Sequence, residues 1–203
     1  MKNNQSGFTI IEVTVASILL VVLGVGILGL QYVIGKVQLT AFSSFQSSDE
    51  ANVIVSTIAR ELRTARAGDN GAFLLEAGAN DSITFYSDVD YDGAVEKVQY
   101  TRTGTSMTRS VTEPSGYPVT YIDANKKTKT ISTNIRNGTT SVFSYYNGNW
   151  PTVTTGNPIA TPINLLNVKM VKIYIRSNTE ANHSAADYIG ESFAALRMAK
   201  TNL

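Results

Sequence analysis

From Val13 to Gly35 the chain runs 23 residues without a charge. As an α-helix that run measures ~35 Å at 1.5 Å per residue, more than the ~30 Å hydrocarbon core of a bilayer. Lys36 ends the run and the pattern changes. Residues 36–67 contain neither Pro nor Gly, and Ala51, Ile54, Val55, Ile58, Leu62 and Ala65 recur at the three- and four-residue spacing of one helical face. Arg60, Glu61, Arg63 and Thr64 fall on the opposite face. Gly68 is a natural helix stop, and Asp69-Asn70-Gly71 reads as a turn. The pattern predicts one helix from Phe8 to Ala67, apolar all round in its first half and amphipathic in its second. A coiled coil is the alternative for so long a helix, but Ser43, Ser44, Ser47 and Ser48 crowd the positions where heptads need apolar side chains.

Beyond residue 80 the period shortens to two. Ser82–Ser87 and Ala94–Arg102 alternate, and Met107–Val111 follows the hairpin signal Thr103-Gly104-Thr105-Ser106. Thr130–Ile135 and Ser141–Tyr146 are weaker strands. Leu165–Arg176 is a strong one, and Phe193–Ala199 closes the set. Asn147 to Pro162, rich in Gly, Pro, Asn and Thr, reads as a long loop. The expected fold class is α+β, with an antiparallel sheet covered by the amphipathic half of the helix.

Composition narrows the chemistry. A chain of 203 residues suits one domain plus an anchor. With a formal net charge of +1, nothing points to a nucleic-acid partner; Lys126, Lys127 and Lys129 form only a small basic cluster beside Asp123. There is no cysteine, which excludes disulfides, thiolate catalysis and Cys-based zinc sites. The single histidine, His183, sits in a loop-like stretch and reads as surface. No catalytic constellation emerges, and no enzymatic activity is expected. Tyr145, Tyr146 and Trp150 allow two readings, an exposed aromatic patch for a partner or packing behind the sheet.

Residues 88–96, DVDYDGAVE, resemble the opening of an EF-hand loop, with alternating Asp and Gly at the sixth position. The expected calcium ligands are Asp88, Asp90, Asp92, the Ala94 carbonyl and Glu96. Position twelve is Gln99 instead of a bidentate Glu, so a complete EF-hand is not expected. The plainer reading is a polar hairpin turn, where Asp and Gly are favoured by the backbone. Calcium is the only cofactor the sequence suggests.

The N-terminus admits three readings: a secretory signal peptide, a simple single-pass anchor, and a processed leader. The apolar core is longer than the 7–15 residues of a signal peptide. Gly24-Val25-Gly26-Ile27-Leu28-Gly29 spells GxGxxG but lies inside the apolar run, away from any strand-to-helix turn, so it is no dinucleotide site. Glycines there permit close helix packing. Ahead of the run stands Gly7-Phe8-Thr9-Ile10-Ile11-Glu12-Val13, preceded by a short polar leader with one lysine, Lys2. Thr9-x-x-Glu12 fits a capping box, which places the carboxylate at the positive end of the helix dipole.

This stretch closely resembles the signal of type IV prepilins: a polar leader ending in Gly, then Phe, then an apolar segment broken only by Glu at its fifth position. The resemblance implies cleavage between Gly7 and Phe8 by a prepilin peptidase and N-methylation of Phe8. It implies that Glu12 neutralises the new amine of a neighbouring subunit during assembly. It also implies a body held outside the cytoplasm by a single membrane span, later built into a pilus-like filament, with other pilins and the assembly platform as partners. The expected organisation is a leader over 1–7, a membrane and filament-core helix over 8–35, its amphipathic continuation over 36–67, and a β-rich body over 68–203. The body is similar in layout to the larger minor pilins and to J-type pseudopilins of type II secretion. It lacks the C-terminal disulfide common among Gram-negative pilins, and Gly29 stands about where many major pilins place a Pro. Two alternatives to a minor pilin remain, a J-type pseudopilin and a membrane-anchored extracytoplasmic binding module that keeps its N-terminus.

Overall fold

The computed structural model describes residues 7–179 and 187–199. Residues 1–6, which belong to the expected leader, His183 and the last four residues lie outside them. The chain divides into two compact units, Met1–Phe42 and Ser43–Leu203. One helix, α1 (Ile10–Arg63), runs through both.

In the first unit α1 is apolar all round, and none of its described residues is buried. It is long and apolar enough to cross a membrane. Its two early hydroxyls are satisfied within the helix: Thr14 Oγ1 donates to the Ile11 carbonyl at 2.9 Å and Ser17 Oγ to that of Val13 at 2.7 Å. Such back-bonding removes the cost of placing hydroxyls in hydrocarbon.

The second unit is α+β, as expected. The strands are β1 (Leu75–Gly78), β2 (Ser82–Ser87), β3 (Glu96–Thr103), β4 (Ser106–Thr112), β5 (Lys126–Ser132), β6 (Phe143–Tyr146), β7 (Met170–Ser177) and β8 (Tyr188–Ala195). They form two antiparallel sheets, β1-β2-β3-β4-β5 and β6-β7-β8. The apolar face of α1, from Ala51 through Leu62, joins Ile83, Phe85, Val98, Tyr100 and Met107 of the first sheet and Phe143, Val171, Ile173 and Ile175 of the second in one core. The sheets are stitched together where Phe143 N–H donates to the Asn80 carbonyl at 2.9 Å and Ile135 N–H to that of Thr105 at 2.9 Å. Tyr145 donates its hydroxyl to the Ala79 and Ser82 carbonyls at 3.0 and 3.1 Å.

Several boundaries differ from expectation, each for a local reason. The helix ends at Arg63, ahead of Ala67, because the Arg66 N–H donates to the Tyr86 carbonyl of β2 at 3.0 Å in place of a helical carbonyl. The strand expected from Ala94 starts at Glu96, since the Val95 N–H is taken by Asp69 Oδ2 at 2.9 Å. Leu165–Asn167 forms a 3₁₀ turn capped by the Asn164 side chain, and the strand begins only at Met170. The strand placed at Thr130–Ile135 is instead Lys126–Ser132, an edge strand whose exposed Lys and Thr residues show no apolar alternation. The last strand is Tyr188–Ala195, and Arg197–Ala199 is a 3₁₀ turn.

The serines that spoil a heptad pattern dock the helix. Ser47 Oγ donates to the Ser43 carbonyl at 2.8 Å and accepts the Thr179 N–H at 3.1 Å, while Thr179 Oγ1 donates to the Ser43 carbonyl at 3.2 Å.

Candidate functional site

Thr9 and Glu12 form a reciprocal cap at the start of α1. Thr9 stands immediately before α1, and its N–H and hydroxyl both donate to Glu12 Oε2, at 2.8 and 2.9 Å. The Glu12 N–H donates back to Thr9 Oγ1 at 3.3 Å. Two backbone donors that a helix start leaves without helical partners are thereby satisfied, and the carboxylate lies against the positive end of the helix dipole. Gly7 and Phe8 precede the helix in exposed chain without regular secondary structure, with Phe8 88% accessible.

The second candidate is the β2–β3 turn. Ser87 pairs with Glu96, and the residues between them form the loop. One carboxylate oxygen from each of Asp88, Asp90 and Glu96 lies within 4.8 Å of the others. Asp92 stands outside that group. Its Oδ1 accepts the Ala94 N–H at 2.8 Å, so it shapes the turn. The turn also needs Gly93, at φ +97°, and holds Tyr91 at φ +65°. Glu96 is wholly buried. Its Oε2 accepts the Val89 N–H at 2.8 Å, while its Oε1 has no partner. Asp88 Oδ1 is likewise buried and unpartnered. Arg66 is the cation beside this cluster. It reaches Asp88 Oδ2 at 3.4 Å and the Gly93 carbonyl at 2.7 Å. Burial, with the negative charges of Asp90 and Glu113 nearby, pushes Glu96 up to about 7.

A third cluster was not legible as such in the sequence. Glu61, assigned to the solvent face of α1, points into the protein and is only 7% exposed. Arg109 of β4 donates to its Oε1 at 2.8 Å, and the Tyr100 hydroxyl of β3 donates to its Oε2 at 2.7 Å. Arg109 Nε also reaches the Tyr100 oxygen at 3.1 Å. Burial and then the Glu61 carboxylate raise Tyr100 far above the phenolic range, which keeps its proton on as a donor. The contacts are those of a structural ion pair; Glu61 has every oxygen occupied.

The aromatic residues pack. Tyr145 is buried, and Tyr146 is nearly so, with its ring 4.8 Å from that of Trp150. Lys126 and Lys127 donate to Gln99 at 2.6 Å and Glu113 at 3.4 Å. Together with Lys129 they line the exposed edge strand β5, where lysines discourage pairing with another sheet. The chain matches no protein-family model, and no curated protein matches it significantly.

Proposed function

We propose that this chain is a pilin-like structural subunit, trimmed between Gly7 and Phe8, N-methylated on Phe8, and assembled into a type IV pilus-like filament as a minor pilin. The observation that carries this reading is the contiguous Gly7-Phe8-Thr9-Ile10-Ile11-Glu12 signal at the head of a helix that is apolar on every face. A helix that exposes Ile10, Ile11, Ile18, Leu19, Leu20, Val21, Val22 and Leu23 all round needs lipid or other helices of its kind as surroundings. The membrane satisfies that need before assembly and neighbouring subunits satisfy it afterwards. One carboxylate interrupts the apolar surface, and it stands one turn from the amine that cleavage would create. A charged group in such a setting calls for a partner of opposite sign.

In this reading the prepilin peptidase, other pilins and the assembly platform are the partners, and the body lies outside the cytoplasm. The role in this reading is structural, and a sequence with one histidine and no cysteine offers neither a thiolate nucleophile nor a His-rich metal site. A J-type pseudopilin would share every one of these features, and the genes surrounding this one distinguish the two systems.

Co-expression with a prepilin peptidase in a host that lacks one tests the processing step. The wild-type chain is expected to lose its first seven residues only when the peptidase is present, and Gly7→Ala is expected to stay whole. A wild-type chain left intact in cells where a control prepilin is cut would overturn the reading in favour of a simple membrane-anchored binding module.

A further inference from the structure

The β2–β3 turn raises a question that the filament reading does not answer. Three carboxylates meet there beside one cation. Like charges this close repel, and desolvating them adds to the cost. A buried polar atom without a partner is costly as well, and here there are three: the acceptors Glu96 Oε1 and Asp88 Oδ1, and the Arg66 Nε–H donor. Arg66 does not resolve the imbalance. Its Nη2 reaches Asp88 Oδ2 and the Gly93 carbonyl, its Nε finds no acceptor, and Asp88 Oδ1 and Glu96 Oε1 stay unserved.

We propose that this cluster is a calcium site, with Asp88, Asp90 and Glu96 as its carboxylate ligands. The dimensions fit. Calcium holds oxygens at about 2.3–2.6 Å, so two ligands on opposite sides of one ion are about 5 Å apart. The three carboxylates offer oxygens within 4.8 Å of one another, and an ion between them needs little rearrangement. The donor set is all oxygen and all carboxylate, which suits a hard cation rather than zinc or copper. The loop is short and held at both ends by the Ser87–Glu96 pair, so the ligands come from one preformed turn.

The site differs from the EF-hand pattern in an informative way. Asp92, at a loop position where an EF-hand supplies a ligand, lies outside the group and accepts the Ala94 N–H, while Asp90, whose Oδ1 accepts the Asp92 N–H at 3.3 Å, and the wholly buried Glu96 lie within it. Arg66 ties the same turn to the segment that follows α1. Calcium binding would therefore fasten the β2–β3 turn to the exit of the helix and stabilise the body. This inference is independent of the processing of Gly7.

The test is thermal unfolding of the full chain in detergent micelles, first stripped with a chelator and then titrated with calcium chloride, with magnesium chloride as the control. Tyr91 in the loop also sensitises terbium luminescence, which reads occupancy directly. At calcium one hundred times its Kd, the wild-type midpoint is expected to rise by about 5–10 °C. Two variants are needed. Glu96→Gln removes a buried charge, so it should be at least as stable as wild type in chelator, yet lose the calcium shift and the terbium signal. Asp90→Asn changes an exposed residue and should weaken both at least tenfold. A wild-type midpoint unmoved by 10 mM calcium would overturn the proposal. So would a shift of the same size in magnesium, or one that survives in both variants.

Discussion

Removing Arg109 should expose how the body tolerates a buried carboxylate. Glu61 is 7% exposed, and its two oxygens are held by Arg109 at 2.8 Å and by the Tyr100 hydroxyl at 2.7 Å. Arg109→Met keeps much of the side-chain volume and deletes the charge. The Glu61 carboxylate then has Tyr100 alone. Stranding one partner of a fully buried pair costs about 3–5 kcal/mol. The Arg109 side chain is 26% accessible, so water reaches the opened position and lowers the expected cost to roughly 2–3 kcal/mol. For a body of this size that is a fall of about 4–12 °C in midpoint. Glu61→Gln combined with Arg109→Met removes the stranded charge while leaving an acceptor for the Tyr100 hydroxyl, and should recover at least half of the loss. The assay is thermal unfolding of the full chain in detergent, followed by circular dichroism, for wild type, both single variants and the double. A midpoint within ~2 °C of wild type for Arg109→Met, or single-variant losses that simply add in the double, would refute the reasoning.

Three other outcomes follow from the same geometry. Glu12→Gln retains an acceptor for the Thr9 N–H, so helical content should stay unchanged while filament incorporation is lost; full incorporation of this variant, scored by immunoblot of isolated filaments, would show that Glu12 only caps the helix. Gly190 faces α1 so closely that a Cβ would meet the Ala51 carbonyl oxygen and Val55 Cγ2 at 3.2 Å; Gly190→Val should destabilise the body by roughly 1–3 kcal/mol in denaturant titration, and a neutral result would mean the helix yields. Gly93→Ala forces a Cβ into φ +97° with open space around it, so backbone strain alone should cost about 1 kcal/mol of stability in denaturant titration, whereas replacing Gly26, in ordinary helix, should not.

The apolar run was legible because it carries no charge over 23 residues, and the amphipathic face and strands β3 and β4 because each buries one periodic set of side chains. Strand β8 was harder for a physical reason. Its buried positions hold Gly190, where α1 approaches closely, and Ala194, while Ile189 and Phe193 are exposed. The apolar pattern of that strand is therefore inverted relative to its burial. The edge strand β5 has no apolar alternation to read because it is exposed along most of its length. The short β1, Leu-Glu-Ala-Gly, has weak strand preference and forms by pairing with β2 across a bulge. Glu61 misled for the opposite reason: a charged side chain at the end of an amphipathic helix reads as solvent-facing, and only the tertiary arrangement brings Arg109 and Tyr100 to it. In the acidic turn both Asp90 and Asp92 accept a backbone N–H of the loop, and spacing alone could not show that only Asp90 also joins the carboxylate cluster.

The filament reading turns on one molecular fact, the state of the N-terminus of the assembled protein. Mass spectrometry of filament or pseudopilus complexes isolated from the native host reads it directly. The expected result is a mature chain that begins at N-methylated Phe8 and is found together with other pilins. A chain that begins at Met1, present in the membrane and absent from those assemblies in a host with an active prepilin peptidase, would contradict it.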